Sequence, residues 1–128
     1  MSYYHSRTVS GGFESVIDRM TDALKEEGFG VLTDIDVRAT LKKKLGVEFR
    51  NYRILGACNP LFAYQALQAE DRIGVMLPCS VIVQQKAEGQ VEVAAVNPLE
   101  AMSSVGNPAL VPIAQQVSQK LQNALQRL

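Results

Sequence analysis

Tyr52-Arg53-Ile54-Leu55-Gly56-Ala57-Cys58-Asn59-Pro60 reads as a strand that runs straight into a helix. Tyr52 and Ile54 favour an extended, half-buried surface, and Leu55 and Ala57 continue it. Gly56 lets another backbone come close. Asn59 suits the N-cap of the following helix, and Pro60 suits its first position, where the missing N–H costs nothing. Cys58 is thereby placed beside the exposed amides of a helix start, which stabilise a thiolate.

Working back from this junction, Tyr3 to Val9 reads as a first strand, ended by Ser10-Gly11-Gly12. Phe13, Val16, Ile17, Met20 and Leu24 then mark one face of an amphipathic helix, with Gly28 as its C-cap. Phe29 to Ile35 is a second strand, so the pattern predicts a βαβ unit with parallel strands and a right-handed crossover. Asp36 caps a short helix whose stripe, Val37, Leu41 and Leu45, is expected to be buried. Lys42-Lys43-Lys44 falls in its last turn, where cations suit the dipole, and reads as a solvated helix end closed by Gly46.

Forward from the junction, the helix runs from Asn59 to Ala69 and Glu70-Asp71-Arg72 breaks it. Ile73 to Leu77 is expected to be a short extended segment. Ser80 to Gln85 and Val91 to Val96 are strands joined by the turn Ala87-Glu88-Gly89-Gln90. Asn97-Pro98 opens a short helix through about Met102, Ser103 to Asn107 reads as loop, and Pro108 opens the last helix. There Leu110, Ile113, Val117, Leu121, Ala124 and Leu128, widened by Ala114 and Leu125, form a stripe that covers a sheet face or packs on its copy. The predicted fold is α+β: a mixed sheet of about five strands from two βαβ units, ferredoxin-like, with an added hairpin strand and a long C-terminal helix.

At 128 residues the chain fits a single domain, 1–128. It is long enough to bury roughly two-thirds of its unfolded surface without a metal or disulfide. Thirteen Lys and Arg balance thirteen Asp and Glu, which argues against a nucleic-acid or anionic-membrane surface. No apolar run approaches the length of a membrane span. Met1-Ser2-Tyr3-Tyr4-His5 has neither the basic nor the apolar region of a signal peptide. Two cysteines do not make a disulfide scaffold, so a reducing cytoplasm is the expected setting.

Several blocks resemble one known family. Gly28-Phe29-Gly30-Val31-Leu32-Thr33-Asp34-Ile35-Asp36-Val37 with Thr40-Leu41-Lys42 is similar to one block of the domain of unknown function 302 family. Tyr52 to Pro60, Leu77-Pro78-Cys79-Ser80-Val81 and Asn97-Pro98 are similar to three others; the family more often has Asn at position 80 and Asp at position 97. The resemblance runs from about Gly28 to Met102. It implies a small α+β domain, often a homodimer, without an established activity.

Cys58 has two readings, a small buried hydrophobe or a reactive thiolate, and is the one catalytic candidate. Cys79, after Pro78 at a strand entry, reads more readily as structural. If the two end and begin neighbouring parallel strands they lie at opposite sheet ends; if the segment from Ile73 joins that strand, the gap closes. The amides of Asn59 to Phe62 could take an anion, with Arg53 or Lys42 lending charge, or be satisfied by an ordinary N-cap. Asp36 reads as an N-cap or, if it and Cys58 end neighbouring strands on the same side, as sharing a pocket with Cys58; a ferredoxin-like order makes those strands antiparallel, which argues against that pocket and sets Tyr52 nearer Asp36. Gly28-Phe29-Gly30 lacks the later glycine of a phosphate loop. One histidine, His5, supports neither a zinc site nor a Ser–His–Asp triad, so no metal and no cofactor are expected.

These readings predict a small cytoplasmic homodimer that binds a small, possibly anionic, ligand or a protein partner at the Cys58-Asn59-Pro60 junction. Asp36, Tyr52, Gly56, Cys58, Asn59 and Cys79 are the candidate binding residues. A thiol-dependent enzyme or carrier using Cys58, and a structural or assembly domain without ligand, are the alternatives.

Overall fold

Valines alternate along the two strands after the junction, so Val81 and Val83 share a face with Val91, Val93 and Ala95 across a hairpin. All five are fully buried. The structure, a computed structural model, describes residues 2–128; Met1, the first residue of the stretch read as lacking a signal peptide, lies outside them. Five strands, β1 (Tyr4–Ser10), β2 (Gly30–Asp36), β3 (Tyr52–Cys58), β4 (Cys79–Ala87) and β5 (Gln90–Val96), form one sheet in the order β1-β5-β4-β3-β2. Five α-helices accompany them among the described residues: α1 (Phe13–Glu26), α2 (Val37–Leu45), α3 (Pro60–Ala69), α4 (Pro98–Ala101) and α5 (Leu110–Gln126).

The α+β class, the hairpin and the long last helix are as expected, but the sheet is not mixed: every neighbouring pair is antiparallel. Strands β1 and β2 do run the same way, yet they occupy opposite edges with three strands between them. The β4–β5 hairpin leaves β5 with a free edge, and β1 takes it. Helix α1 therefore crosses the whole sheet instead of linking neighbours.

Helices α1 and α5 cover one face. Val16, Ile17, Met20, Ala23 and Leu24 of α1, with Val117, Leu121, Ala124 and Leu125 of α5, pack on Leu55, Ala57 and the five β4–β5 residues. A buried aliphatic side chain contributes about 1.5–3 kcal/mol, against about 0–1 kcal/mol for an exposed ion pair. This layer, and not charge pairing, holds the fold. Arg7 closes the far end of α5 by donating from Nη1 to the carbonyls of Leu125 at 3.1 Å and Gln126 at 3.0 Å.

The other face is open and mixed in character, with Ile54, Ile82 and Ala94 forming an apolar cross-strand row on it. Tyr52, Gln84, Glu92 and Thr8 form one cross-strand row on it. Arg50 Nε donates to Gln84 Oε1 at 2.8 Å, and Gln84 Nε2 to Glu92 Oε1 at 2.8 Å. A hollow of about 430 Å³ on this face, between Tyr3, Tyr4 and Tyr52, ends at these hydrogen-bonded groups and Lys86.

Three local expectations are corrected. The Val37, Leu41, Leu45 stripe of α2 is not buried: Leu45 is 70% exposed, because α2 flanks the edge strand β2 and no further layer covers it. Ile73 to Leu77 is not extended; Asp71–Met76 is a 3-10 helix with only Ile73 buried. Within Ser103 to Asn107, Ser103–Val105 forms another 3-10 turn. At the end of α1, Gly28 adopts φ 87°, and Phe29 N donates to Leu24 O at 2.9 Å, the left-handed helix ending that glycine permits.

Candidate functional site

Because β3 and β4 are antiparallel, the end of one lies beside the start of the other. Ala57 sits opposite Cys79, and Cys58 opposite Gly30 of β2. Both cysteines are therefore at the same end of the sheet, which settles the question the sequence left open. Ala57 and Cys79 point into the helix-covered face; Cys58 is one residue on, where the strand passes into α3.

A cavity of about 330 Å³ opens at this end. Phe29, Ala57, Phe62, Ala66, Leu77, Met102, Ile113, Ala114 and Val117 are among its walls, together with Cys58, Asn59 and Cys79. Apart from the two thiols, the Asn59 side chain is the only polar one lining it. Ligand cavities commonly begin near 300 Å³ and are mainly apolar with a few placed polar groups.

Asn59 begins α3, but its side chain does not cap it. Its Nδ2 donates across to the Glu27 carbonyl at 3.3 Å. The turn it reaches is itself anchored: buried Glu27 accepts from Arg127 Nη2 at 2.8 Å and Nε at 3.1 Å, and from Asn123 Nδ2 at 3.1 Å. The Arg127 guanidinium, then Asn123, holds the Glu27 carboxyl below the usual carboxylate range, against the opposing effect of burial. Asn59 thus ties the cavity wall to the ends of α1 and α5.

The two thiols differ. Cys79 is buried, and that burial, with Cys58 beside it as a lesser cause, pushes its thiol up to about 11. It is a neutral sulfur at physiological pH. Cys58 is partly exposed. Neither Arg53 nor Lys42, expected to lend charge to an anion, is near. Arg53 pairs with Asp34 through Nη2 at 2.6 Å and with Glu14 at 3.1 Å, and Lys42 pairs with Glu48 at 2.6 Å.

The other candidates lie elsewhere. Gly56 is buried on the open face, and its missing side chain is already compensated: a Cβ there would overlap Thr33 Oγ1 and stand 2.8 Å from Pro78 Cγ. It makes room for Thr33 and Pro78, not for a ligand. Asp36 is at the opposite end of the sheet and caps α2, accepting from Ala39 N at 2.9 Å. Tyr52 is adjacent to Arg53, the residue facing Asp36, and lines the open-face hollow. His5 Nε2 meets the buried Ser118 hydroxyl at 3.1 Å, linking β1 to α5. Among the described residues no group of three or more His, Cys, Asp or Glu gathers as a metal site, and no helix is long and apolar enough to cross a membrane.

So Cys58, Asn59 and Cys79 surround one cavity, and Asp36, Tyr52 and Gly56 do not. Sequence reading missed the apolar walls, such as Phe29, Phe62, Leu77, Met102 and Val117. These come from five separate segments, and each looks like an ordinary core residue in its own segment.

The model of the family "domain of unknown function DUF302" matches residues 5–128. A crystal structure of an uncharacterized conserved DUF302 protein from Bacillus stearothermophilus has the same fold, with a TM-score of 0.92 and 32% identity, over 99% of this chain and 98% of that one. Among curated proteins, none matches.

Proposed function

The chain belongs to the DUF302 family, and from that premise we propose that it is a binding domain whose cavity at the β3–α3 junction receives a compact apolar molecule beside Cys58. What supports the reading is the lining: about 330 Å³ of space walled by aliphatic and aromatic side chains, with two thiols and one amide as its polar groups. The lining carries no charged side chain among the described residues, which turns the reading away from an anion. The working unit in this proposal is a homodimer in a reducing compartment such as the cytoplasm, in keeping with two unpaired cysteines.

The test is thermal stabilisation by a panel of small apolar compounds, indole among them. A compound present at 100 times its Kd stabilises by about 2.7 kcal/mol. At about 2.1 cal/mol/K per residue, that is roughly a 10 °C rise in Tm for this chain. Ala63→Phe, which fills the cavity from the α3 wall, is expected to keep the fold and remove the rise. The reading fails if no compound shifts Tm, or if Ala63→Phe and the parent respond alike.

A second reading, a thiol-dependent enzyme or carrier, rests on the partial exposure of Cys58 at the cavity. Its alkylation rate against pH decides: a midpoint at or above the ordinary thiol value of about 8.5 rejects it.

A further inference from the structure

The chain contains two cysteines and four methionines. Both cysteines and one methionine, Met102, line the same cavity. Three separate elements bring them there: Cys58 ends β3, Cys79 begins β4 and Met102 closes α4. Facing Cα atoms of antiparallel strands stand about 4.5–5.5 Å apart, and consecutive ones about 3.8 Å. Because Ala57 faces Cys79, the Cα atoms of Cys58 and Cys79 are diagonal neighbours, roughly 6 Å apart. Cys58 lies near enough to act on the Cys79 thiol. The two cysteines are free, so both sulfurs keep their lone pairs for a ligand.

We infer that Cys58, Cys79 and Met102 bind one soft monovalent metal ion, Cu(I), within this cavity. Thiolate and thioether sulfurs select Cu(I), whereas carboxylate, carbonyl and water suit harder divalent ions. Among the described residues the lining carries no His, Asp or Glu, so Zn(II), which takes four ligands of mixed kind, is poorly served. Two thiols and a thioether are also not the His, Cys, Asp or Glu cluster that a harder ion needs. The lone histidine that argued against zinc does not bear on this ion. At the roughly 2.3 Å of a metal–thiolate bond, two sulfurs on one ion stand roughly 4 Å apart. Side chains from Cα atoms roughly 6 Å apart reach that separation in ordinary rotamers. The third position falls to Met102, whose unbranched side chain adapts to an irregular space.

Both thiols release their protons to solvent on binding, and Cu(I) cancels one of the two negative charges. The remaining charge is shared with the partly exposed Cys58, beside the start of the ten-residue helix α3. The Asn59 amide turns to the Glu27 carbonyl and does not cap that helix, so the first-turn amides of Leu61 and Phe62 favour the negative charge. The ordinary reading of these three residues is core filler, since free cysteine is commonly buried and methionine fills irregular gaps. Filler leaves no space beside it, whereas these three border about 330 Å³. A single ion takes a small part of that volume. The site stands on three sulfurs and does not rest on the apolar-molecule reading above.

The experiment is anaerobic transfer of Cu(I) from its bicinchoninate complex to the reduced full chain, followed by loss of that complex's colour. One Cu(I) per chain is expected. Removing a partner outside the ligands typically lowers metal affinity about 10–100-fold. Removing a thiolate ligand, by Cys58→Ser or Cys79→Ala, is therefore expected to lower it at least about 100-fold, and Met102→Leu about 10-fold. Leucine conserves the methionine volume, and circular dichroism checks that each variant folds. Cys79→Ser replaces Cys79→Ala should the alanine variant not fold. X-ray absorption at the copper edge is expected to show sulfur neighbours only. No transfer, any count other than one ion per chain, or an affinity unchanged by either cysteine substitution overturns the site. An unchanged affinity in Met102→Leu overturns the third ligand, and displacement of Cu(I) by an equal concentration of Zn(II) overturns the choice of ion. No organic compound enters the test, so a failed compound screen beside successful copper transfer removes the apolar-molecule reading alone.

Discussion

Replacing Gly56 by alanine tests the closest packing at the β3–β4 junction. The added Cβ overlaps Thr33 Oγ1 and lies 2.8 Å from Pro78 Cγ. The two neighbours yield differently. Thr33 is exposed on the edge strand and can rotate, at a cost of about 0.5–1.5 kcal/mol for a poor rotamer. The Pro78 ring cannot rotate away from its own backbone, so relief there requires the chain to move between Leu77 and Cys79, both cavity walls. Overpacking of this kind costs about 1–3 kcal/mol. Alanine recovers roughly 0.5–1 kcal/mol of the backbone entropy that glycine loses in a strand. The net expectation is a loss of about 2 kcal/mol. For this chain length, at about 2.1 cal/mol/K per residue, that is a fall in Tm of roughly 7 °C.

Calorimetry of a double-mutant cycle separates the two contacts. Thr33→Ala removes Oγ1, so Gly56→Ala should cost about 1 kcal/mol less in that background. A Gly56→Ala protein within about 0.5 kcal/mol of wild type would refute the packing argument. So would a cost unchanged by Thr33→Ala together with unchanged compound binding, since then neither Thr33 nor Pro78 is being displaced.

Two further outcomes follow from the charged and thiol groups. An unfolded glutamate takes up its proton near pH 4.3, about where folded Glu27, held lower by Arg127 and Asn123, still resists it. The stability this pairing contributes is complete above that pH and is lost as pH falls through the folded value, and Asp34, held low by Arg53, acts in the same sense. Urea midpoints of Glu27→Gln should therefore decline less than those of wild type between neutral pH and pH 3; parallel curves would count against the pairing. Iodoacetamide at pH 8 should label the folded chain once, at Cys58, because a Cys79 thiol at about 11 is thiolate in only about one molecule in a thousand. Two labels entering at similar rates, by mass spectrometry, would show that Cys79 is neither buried nor neutral.

What the sequence made legible was whatever repeats within one element. The spacing of Val16, Ile17, Met20 and Leu24, and that of Leu110, Val117, Leu121 and Ala124, identified the buried faces of α1 and α5. The strand-to-helix change at Cys58-Asn59-Pro60 was equally local, and the chain does turn there. Strand partners were not legible in this way. Two strands flanking a helix suit a parallel pair, but nothing in Tyr4 to Ser10 tells whether β2 or β5 will offer the better edge. The stripe of α2 failed for a related reason: periodicity reports which side of a helix is apolar, and only the sheet order tells whether anything lies against it. Val37, Leu41 and Leu45 face no third layer because β2 ends the sheet.

The site illustrates the same division. Asn59 was read as a cap because its residue type and position suit one, yet a side-chain amide can donate as well as accept. Glycine at position 28 leaves the space through which Nδ2 reaches the Glu27 carbonyl; a Cβ there would stand 3.1 Å from that nitrogen. The bond made across the fold replaces the one expected along the chain. It joins the mouth of the cavity to Glu27, and through Glu27 to Asn123 and Arg127, on the helix whose other end supplies Ile113, Ala114 and Val117 to the same cavity. The volume beside Cys58 is thus maintained by contacts between α1, α3 and α5, and the motif that drew attention to it supplies only one of its walls.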